Sequence, residues 1–198
     1  MSMTSSLYKP LDNEFLNEFK RITEAKWDSQ SLDPAIYGFQ FVPGTRWNPG
    51  LSADAINEYQ NVLGIKFPND FKVLLAALNG TRPATLNIYG NSGNPPRQSV
   101  GVYSYPRDMN IIRERIGDID ENRSAITVNL LEQGFHLAQA ARLVPIFAHR
   151  YLVSTADPES SVVLSIVVNS VDAIVYANSL REYLEKEFIK DANKKGPN

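Results

Sequence analysis

The sequence predicts an α+β fold: a mixed or mainly antiparallel sheet covered by helices, with an N-terminal helical and aromatic-rich extension. Three observations predict it. Residues 51–80 read as two short amphipathic helices joined by a tight link. The rear third carries β-branched apolar runs, above all VVLSIVV at 162–168. An amphipathic helix then closes the chain over 180–188. Helices first, strands in the middle and rear, and a final helix suit helices packed on a sheet, not alternating βαβ units.

The elements follow in order. Asp12 is placed to cap a first helix over about 13–27, with Phe15, Leu16, Phe19 and Ile22 on one face and Trp27 at its end. Residues 28–50 mix proline and glycine with Tyr37, Phe39, Phe41 and Trp47, which reads as a turn-rich segment pinned to the domain by aromatics. Ser52 caps the next helix, because its hydroxyl can accept from a free N–H of the first turn. Ile56, Tyr59 and Leu63 recur at helical spacing, and Gly64 is placed to end the helix in the left-handed region. Pro68 suits the first turn of a second helix, where its missing N–H costs nothing. Phe71, Leu74, Leu75 and Leu78 continue that helix to a stop at Asn79-Gly80.

Residues 85–89 and 99–103 alternate as short strands around a loop at 90–96. Residues 108–116 read as a helix, and 117–140 as a loop followed by a helix near 125–133. Strands are expected over 143–148, 151–154, 162–168 and 173–176, with a turn at Asn169-Ser170 and a strand at 162–168 buried on both faces. Asn178 is placed to cap the last helix, whose apolar face is Leu180, Tyr183, Leu184 and Phe188. The division expected is an extension over 1–50 packed on the domain, a main domain over 51–190, and a polar tail over 191–198.

Composition narrows the function classes. A chain of 198 residues that is 43% hydrophobic can bury one sizeable core. Without cysteine, disulfides, thiol nucleophiles and cysteine-held zinc are excluded. A net charge of −2 is too balanced for general nucleic-acid binding. The longest apolar runs fall far short of the roughly 20 residues that span a bilayer. The first residues carry no apolar leader, so the reading is a cytoplasmic protein with no membrane contact.

No catalytic, metal or cofactor constellation is legible. His136 and His149 lie thirteen positions apart, outside metal-ligand spacing. Asp118, Asp120 and Asn122 begin like a calcium loop, but Arg123 and Asn129 stand where glycine and the bidentate glutamate belong. The reading there is a solvated acidic turn. The glycines of 90–93 lack a phosphate-loop pattern. Arginine and aromatic residues in the loops are the features left: Arg46, Trp47, Tyr89, Arg97, Tyr103, Tyr105, Arg107, Arg150 and Tyr151. These types carry binding hot spots, and they equally well staple long loops to a core. Arg46 and Trp47 are the leading candidates for a partner surface. If a small-ligand or enzymatic site exists, His149, Arg150 and Asp157 are its first suspects.

The segment LGIKFPNDFKVLLAALNG at 63–80 resembles the signature of the SMI1/KNR4, or SUKH, superfamily. Its carriers are Leu63, Gly64, Pro68, Asp70, Phe71, Asn79 and Gly80. The later order is similar too: Val144-Pro145-Ile146 opening a strand, an apolar hairpin over 162–176 and a closing helix. FVPGTRWNPG at 41–50 and His149-Arg150-Tyr151 resemble features of a bacterial subgroup. The resemblance implies an α+β fold over about 51–190 and a non-enzymatic, protein-binding role without cofactor. Bacterial members of this kind are similar to immunity proteins, which bind and neutralise toxins of nuclease or deaminase class. Fungal members resemble scaffolds that bind endogenous proteins.

Overall fold

A computed structural model describes residues 9–33, 37–83, 85–89 and 97–190, without the side chains of residues 37, 85–89 and 97–99. The expected loop at 90–96, the first eight residues and the tail 191–198 lie outside the described residues. The fold is α+β, and every strand ladder is antiparallel.

Helix α1 (Asn13–Ser29) starts where Asp12 accepts a hydrogen bond from the Phe15 N–H at 2.7 Å. Its apolar stripe buries Leu16, Phe19 and Trp27. The segment expected to be turn-rich contains two short strands, β1 (Tyr37–Gln40) and β2 (Arg46–Pro49). Helix α2 (Ala53–Leu63) has the anticipated caps: Ser52 Oγ accepts from Ala55 N–H, and Gly64 takes φ +65°. Helix α3 (Asn69–Ala77) begins one residue after Pro68. Pro68 is therefore the cap, not a first-turn residue, and its carbonyl accepts from Phe71 and Lys72.

At the end of α3 the structure departs from the expectation. Leu78 does not continue the helix, and Asn79-Gly80 does not stop it. Leu78 opens strand β3 (Leu78–Arg82), which pairs with β2 through Arg46–Arg82, Trp47–Thr81 and Pro49–Leu78. The register shifts between the last two pairs, and Asn79-Gly80 supplies the extra backbone there. Pairing with a distant strand overrides the helical period at Leu78, a contest that spacing alone does not settle. Strands β4 (Thr85–Tyr89) and β5 (Arg97–Ser99) add to β1 in the order β1-β4-β5. The strand expected over 99–103 is shorter than anticipated, with only Val102 bridging to Phe147 beyond Ser99.

Helix α4 (Met109–Glu121) runs through Gly117, and α5 (Arg123–Glu132) follows after a single residue. The anticipated loop after residue 116 and the acidic turn at 118–122 are thus helix. Burial of Ile119, 1% exposed, outweighs the roughly 1 kcal/mol that an interior glycine costs.

Strands β6 (Arg142–Phe147), β7 (Arg150–Ser154), β8 (Val163–Val167) and β9 (Asp172–Ala177) form an antiparallel meander. Strand β8 is central, and its faces go to different cores: Val163 on one side, Leu164 and Ile166 on the other. The last helix, α6 (Leu180–Leu184), continues as a π-helical turn over Glu185–Ile189. Its cap is Ser179, not Asn178: the Ser179 hydroxyl accepts from Glu182 N–H, while the Glu182 carboxylate accepts from Asn178 N–H. Ser-x-x-Glu has capping-box spacing, and these two bonds explain why the start falls there, although the glutamate takes the N–H one residue before the cap.

The meander separates two cores. One, between the sheet and α4–α5, is mainly aliphatic: Ile119, Ile126, Leu130, Leu143, Leu164 and Ile166. The other gathers α1, α2, α3, α6 and β2 around stacked rings. Trp27 lies 4.4 Å from Phe41, and Trp47 lies 5.5 Å from Phe19 and 5.6 Å from Phe188. Residues of the 1–50 segment are integral to this core.

Candidate interaction surface

The motif residues at 63–80 serve the frame. Asp70 is buried and accepts from Leu11 N–H at 3.1 Å and from the Ser161 hydroxyl at 3.2 Å. Ser161 Oγ in turn accepts from Leu180 N–H. One carboxylate therefore ties the chain before α1 to the start of α6. The Asn79 side chain binds both backbone groups of Tyr105, donating to its carbonyl at 2.7 Å and accepting from its N–H at 2.9 Å. Gly80, at φ +74°, packs so closely that a Cβ would meet Ser104 Cβ at 2.6 Å. Asn79-Gly80 is thus a clamp on the loop at 103–106. Phe71 is buried beside Phe67 at 5.0 Å, and Leu63 packs against the same core.

The candidates for partner contact divide by burial. Trp47 is 4% exposed, and its indole N–H donates to Thr23 Oγ1 at 2.8 Å. Tyr105 stacks on Tyr59 at 4.6 Å and is buried, as is Tyr151. Burial pushes the Tyr151 phenol up to about 12 and keeps Tyr59 and Tyr183 well above the usual phenol range. Arg150 is held by Glu187 at 3.0 Å and by Ser165 Oγ at 2.9 Å, with its guanidinium 4.0 Å above the Tyr176 ring. Trp47, Tyr105, Arg150 and Tyr151 therefore hold the interior together, and the expectation that they line a surface is corrected by their burial. Tyr89 and Arg97 lie on β4 and β5, and their side chains fall outside the described residues.

Arg46 and Arg107 are the candidates that remain half-exposed. Arg46 Nη1 and Nη2 each lie 2.8 Å from the Asp28 carboxylate. That guanidinium, with Gly44 N–H, holds the Asp28 carboxyl below its usual range. Arg107 grips Asp108 with two bonds of 2.8 and 2.9 Å and donates to the Thr81 carbonyl. Arg82, absent from the sequence-based candidates, stands opposite Arg46 in the β2–β3 ladder. It is exposed and makes no ion pair among the described residues. Three arginines thus converge on one end of this ladder. The signal for Arg82 was its place on the strand carrying Thr81, which could be read only once that strand was known.

The suspects for a small-molecule site do not assemble. His149 occupies the β6–β7 turn, and Asp157 the loop after β7, so five residues of strand, roughly 15 Å, separate them. Asp157 instead accepts from Glu159 N–H within its own loop. Among the described residues, no group of three or more histidine, aspartate or glutamate side chains is placed to hold a metal ion. A cavity of about 40 Å³ lies in the aromatic core, lined by Trp47, Tyr59, Leu75, Tyr103, Tyr183 and Phe188. Its lining is apolar, and its volume has room for little more than a water or two. No helix among the described residues is long and apolar enough to cross a membrane.

No protein-family model, curated protein or solved structure matches the chain.

Proposed function

We propose that this chain is a non-enzymatic protein-binding domain of SMI1/KNR4 (SUKH) type. In this reading it is an immunity protein that occupies and neutralises a bacterial toxin domain of nuclease or deaminase class in the cytoplasm. The observation that carries the reading is the division of the polar side chains between two tasks. Asp70, Asn79, Asp108 and Arg150 bind the protein's own backbone or side chains such as Ser161 and Glu187. Arg46, Arg82 and Arg107 gather at one end of the β2–β3 ladder: Arg82 is exposed without an ion pair among the described residues, while Arg46 and Arg107 are half-exposed and also hold Asp28 and Asp108. Rigid elements carrying outward arginines suit recognition of carboxylates on a partner surface, because the guanidinium fork binds them in two-point geometry.

The test is co-expression with candidate toxin domains of nuclease or deaminase class, taken first from any encoded near this gene. Wild-type protein is expected to protect the cells and to co-purify with the toxin. Arg46→Ala/Arg82→Ala is expected to lose both while folding normally. Absence of complex and of protection sinks the reading. Reproducible recovery of a host protein instead, in cells without the toxin locus, favours the scaffold role that the fungal resemblance implies.

A further inference from the structure

Helix α5 is apolar on more than one side. Ile126 and Leu130 point into the aliphatic core and are 0% exposed, as an amphipathic helix requires. Val128 and Leu131, one turn apart, face outward with 57% and 56% of their surface exposed. An open, shallow groove of about 510 Å³ runs beside Val128, walled also by Ser124, Ala125, Glu132 and, from the β8–β9 turn, Val171, with Leu131 outside its lining. Val171 holds φ +50°, a conformation that strongly disfavours a β-branched residue. Backbone strain of this kind, on the order of 1–3 kcal/mol, clusters at binding sites.

The charged residue in the groove wall is acidic, and two more acids lie near that wall in the chain. Glu132 lines the groove, Asp172 follows Val171 directly, and Glu121 immediately precedes the junction into α5. All three are exposed, and none is ion-paired among the described residues. The nearby cations are engaged elsewhere. Arg123 donates to the carbonyls of Ala138, Gln139 and Ala141, Arg142 pairs with Asp120, and Arg115 pairs with Asp118. A second copy of the chain would bring two acidic rims together. An added strand would compete for Ala173 on the exposed edge, where Asn129 already accepts from its N–H and Gln133 donates to its carbonyl.

We propose that the outer face of α5 and the β8–β9 turn form a docking groove for a cationic amphipathic helix of a partner protein. This contact is separate from the arginine end of the β2–β3 ladder. Aliphatic side chains of the helix cover Val128 and Leu131, and its lysines or arginines meet Glu132, Asp172 and Glu121. This is helix-in-groove recognition, with affinity from apolar burial and orientation from charge.

The test uses a labelled helical peptide built only from leucine and lysine at amphipathic spacing, with a leucine–glutamate peptide of the same pattern as control. Binding is followed by fluorescence anisotropy and by amide chemical shifts of the full chain. The leucine–lysine peptide is expected to shift the amides of 124–132 and 170–172 and to weaken as salt rises. Affinity is expected to fall at least tenfold in Val128→Ser/Leu131→Ser and in Glu132→Lys/Asp172→Lys. The glutamate peptide is expected not to bind. The second variant keeps the test valid if the first proves poorly folded. Unchanged affinity in a folded variant, shifts located elsewhere, or no binding overturns the proposal. So does a dimer in sedimentation that Val128→Ser/Leu131→Ser dissociates. None of these outcomes depends on the toxin, so failure here leaves the immunity reading to its own test.

Discussion

At the end of the β2–β3 ladder, Arg46 and Arg107 expose half of their side chains, yet each guanidinium already grips a carboxylate of its own chain. On α5, Val128 and Leu131 expose more than half of theirs, and no apolar partner among the described residues covers them. The first face offers charge that must be shared, so a partner there competes with Asp28 and Asp108. The second offers apolar area whose burial is favourable at once, at roughly 25 cal/mol per Å². Orientation belongs to the first kind of surface and hydrophobic adhesion to the second. Neither face includes the aromatic rings that usually anchor an interface, because the described ones are mostly stacked inside.

The sharpest way to break this comparison is Trp47→Ala. Trp47 neighbours Arg46 in sequence but lies among Phe19, Trp27 and Phe188. Its loss is expected to cost about 3–5 kcal/mol of stability in urea denaturation. Val128→Ala on the exposed face should stay within about 0.5 kcal/mol of wild type. Unchanged stability with lost partner binding in Trp47→Ala would return the indole to the interface.

Asp70→Ala comes next. It leaves the Leu11 N–H and the Ser161 hydroxyl without their shared acceptor in a buried site. A loss of about 1–3 kcal/mol is expected, read as a lower denaturation midpoint. An unchanged midpoint would remove the motif aspartate from the frame.

Raising pH tests the buried rings together. Burial lifts Tyr59, Tyr151 and Tyr183 above the ordinary phenol value of 10.0, with Tyr151 reaching about 12. A phenol whose folded pKa is raised contributes stability that is complete below pH 10 and is lost as pH climbs toward the folded value. The described tyrosine side chains are all buried, so their tyrosinate absorbance is expected to rise above pH 10 and together with unfolding. A single simple titration near pH 10 in a folded chain would contradict the burial.

The smallest effect belongs to Ala148→Gly. Ala148 sits in the β6–β7 turn at φ +43°, where a Cβ is unfavourable. Relief of that strain, less the entropy glycine gains when unfolded, is expected to add up to about 1 kcal/mol of stability. A lower melting temperature would mean that the Ala148 methyl packs more usefully than the turn is strained.

Local chemistry was legible in the sequence, and distant pairing was not. Asp12, Ser52 and Gly64 cap their helices as read, because a cap involves residues three or four apart. The β8 run was read as buried on both faces, which holds only in part: Val163, Leu164 and Ile166 are buried, but Val167 is 42% exposed, so the face that starts at Val163 opens to solvent at the strand's end. Leu78 was misread because helical spacing and strand pairing both fit it, and only the Pro49 partner decides. Gly50 passed as a turn residue. Its need is a close approach, since a Cβ there would lie 1.9 Å from the Ala76 carbonyl oxygen. Trp47 and Tyr105 were overvalued as surface residues, because residue type describes what a side chain can do and not which way its strand or loop turns it. The α5 face was overlooked for the opposite reason: a helix with apolar residues on two sides looks like core until its neighbours are known.

The central claim, a binding domain that acts through the arginine end of the β2–β3 ladder, is tested most directly by isothermal titration calorimetry. The purified chain is titrated with the toxin domain that the co-expression test selects, alongside Arg46→Ala/Arg82→Ala with its melting temperature recorded. A one-to-one complex whose affinity drops by at least tenfold in the variant, with the melting temperature held within a few degrees, is the predicted result. No heat of binding with the wild type, or equal affinity for both proteins, would contradict it.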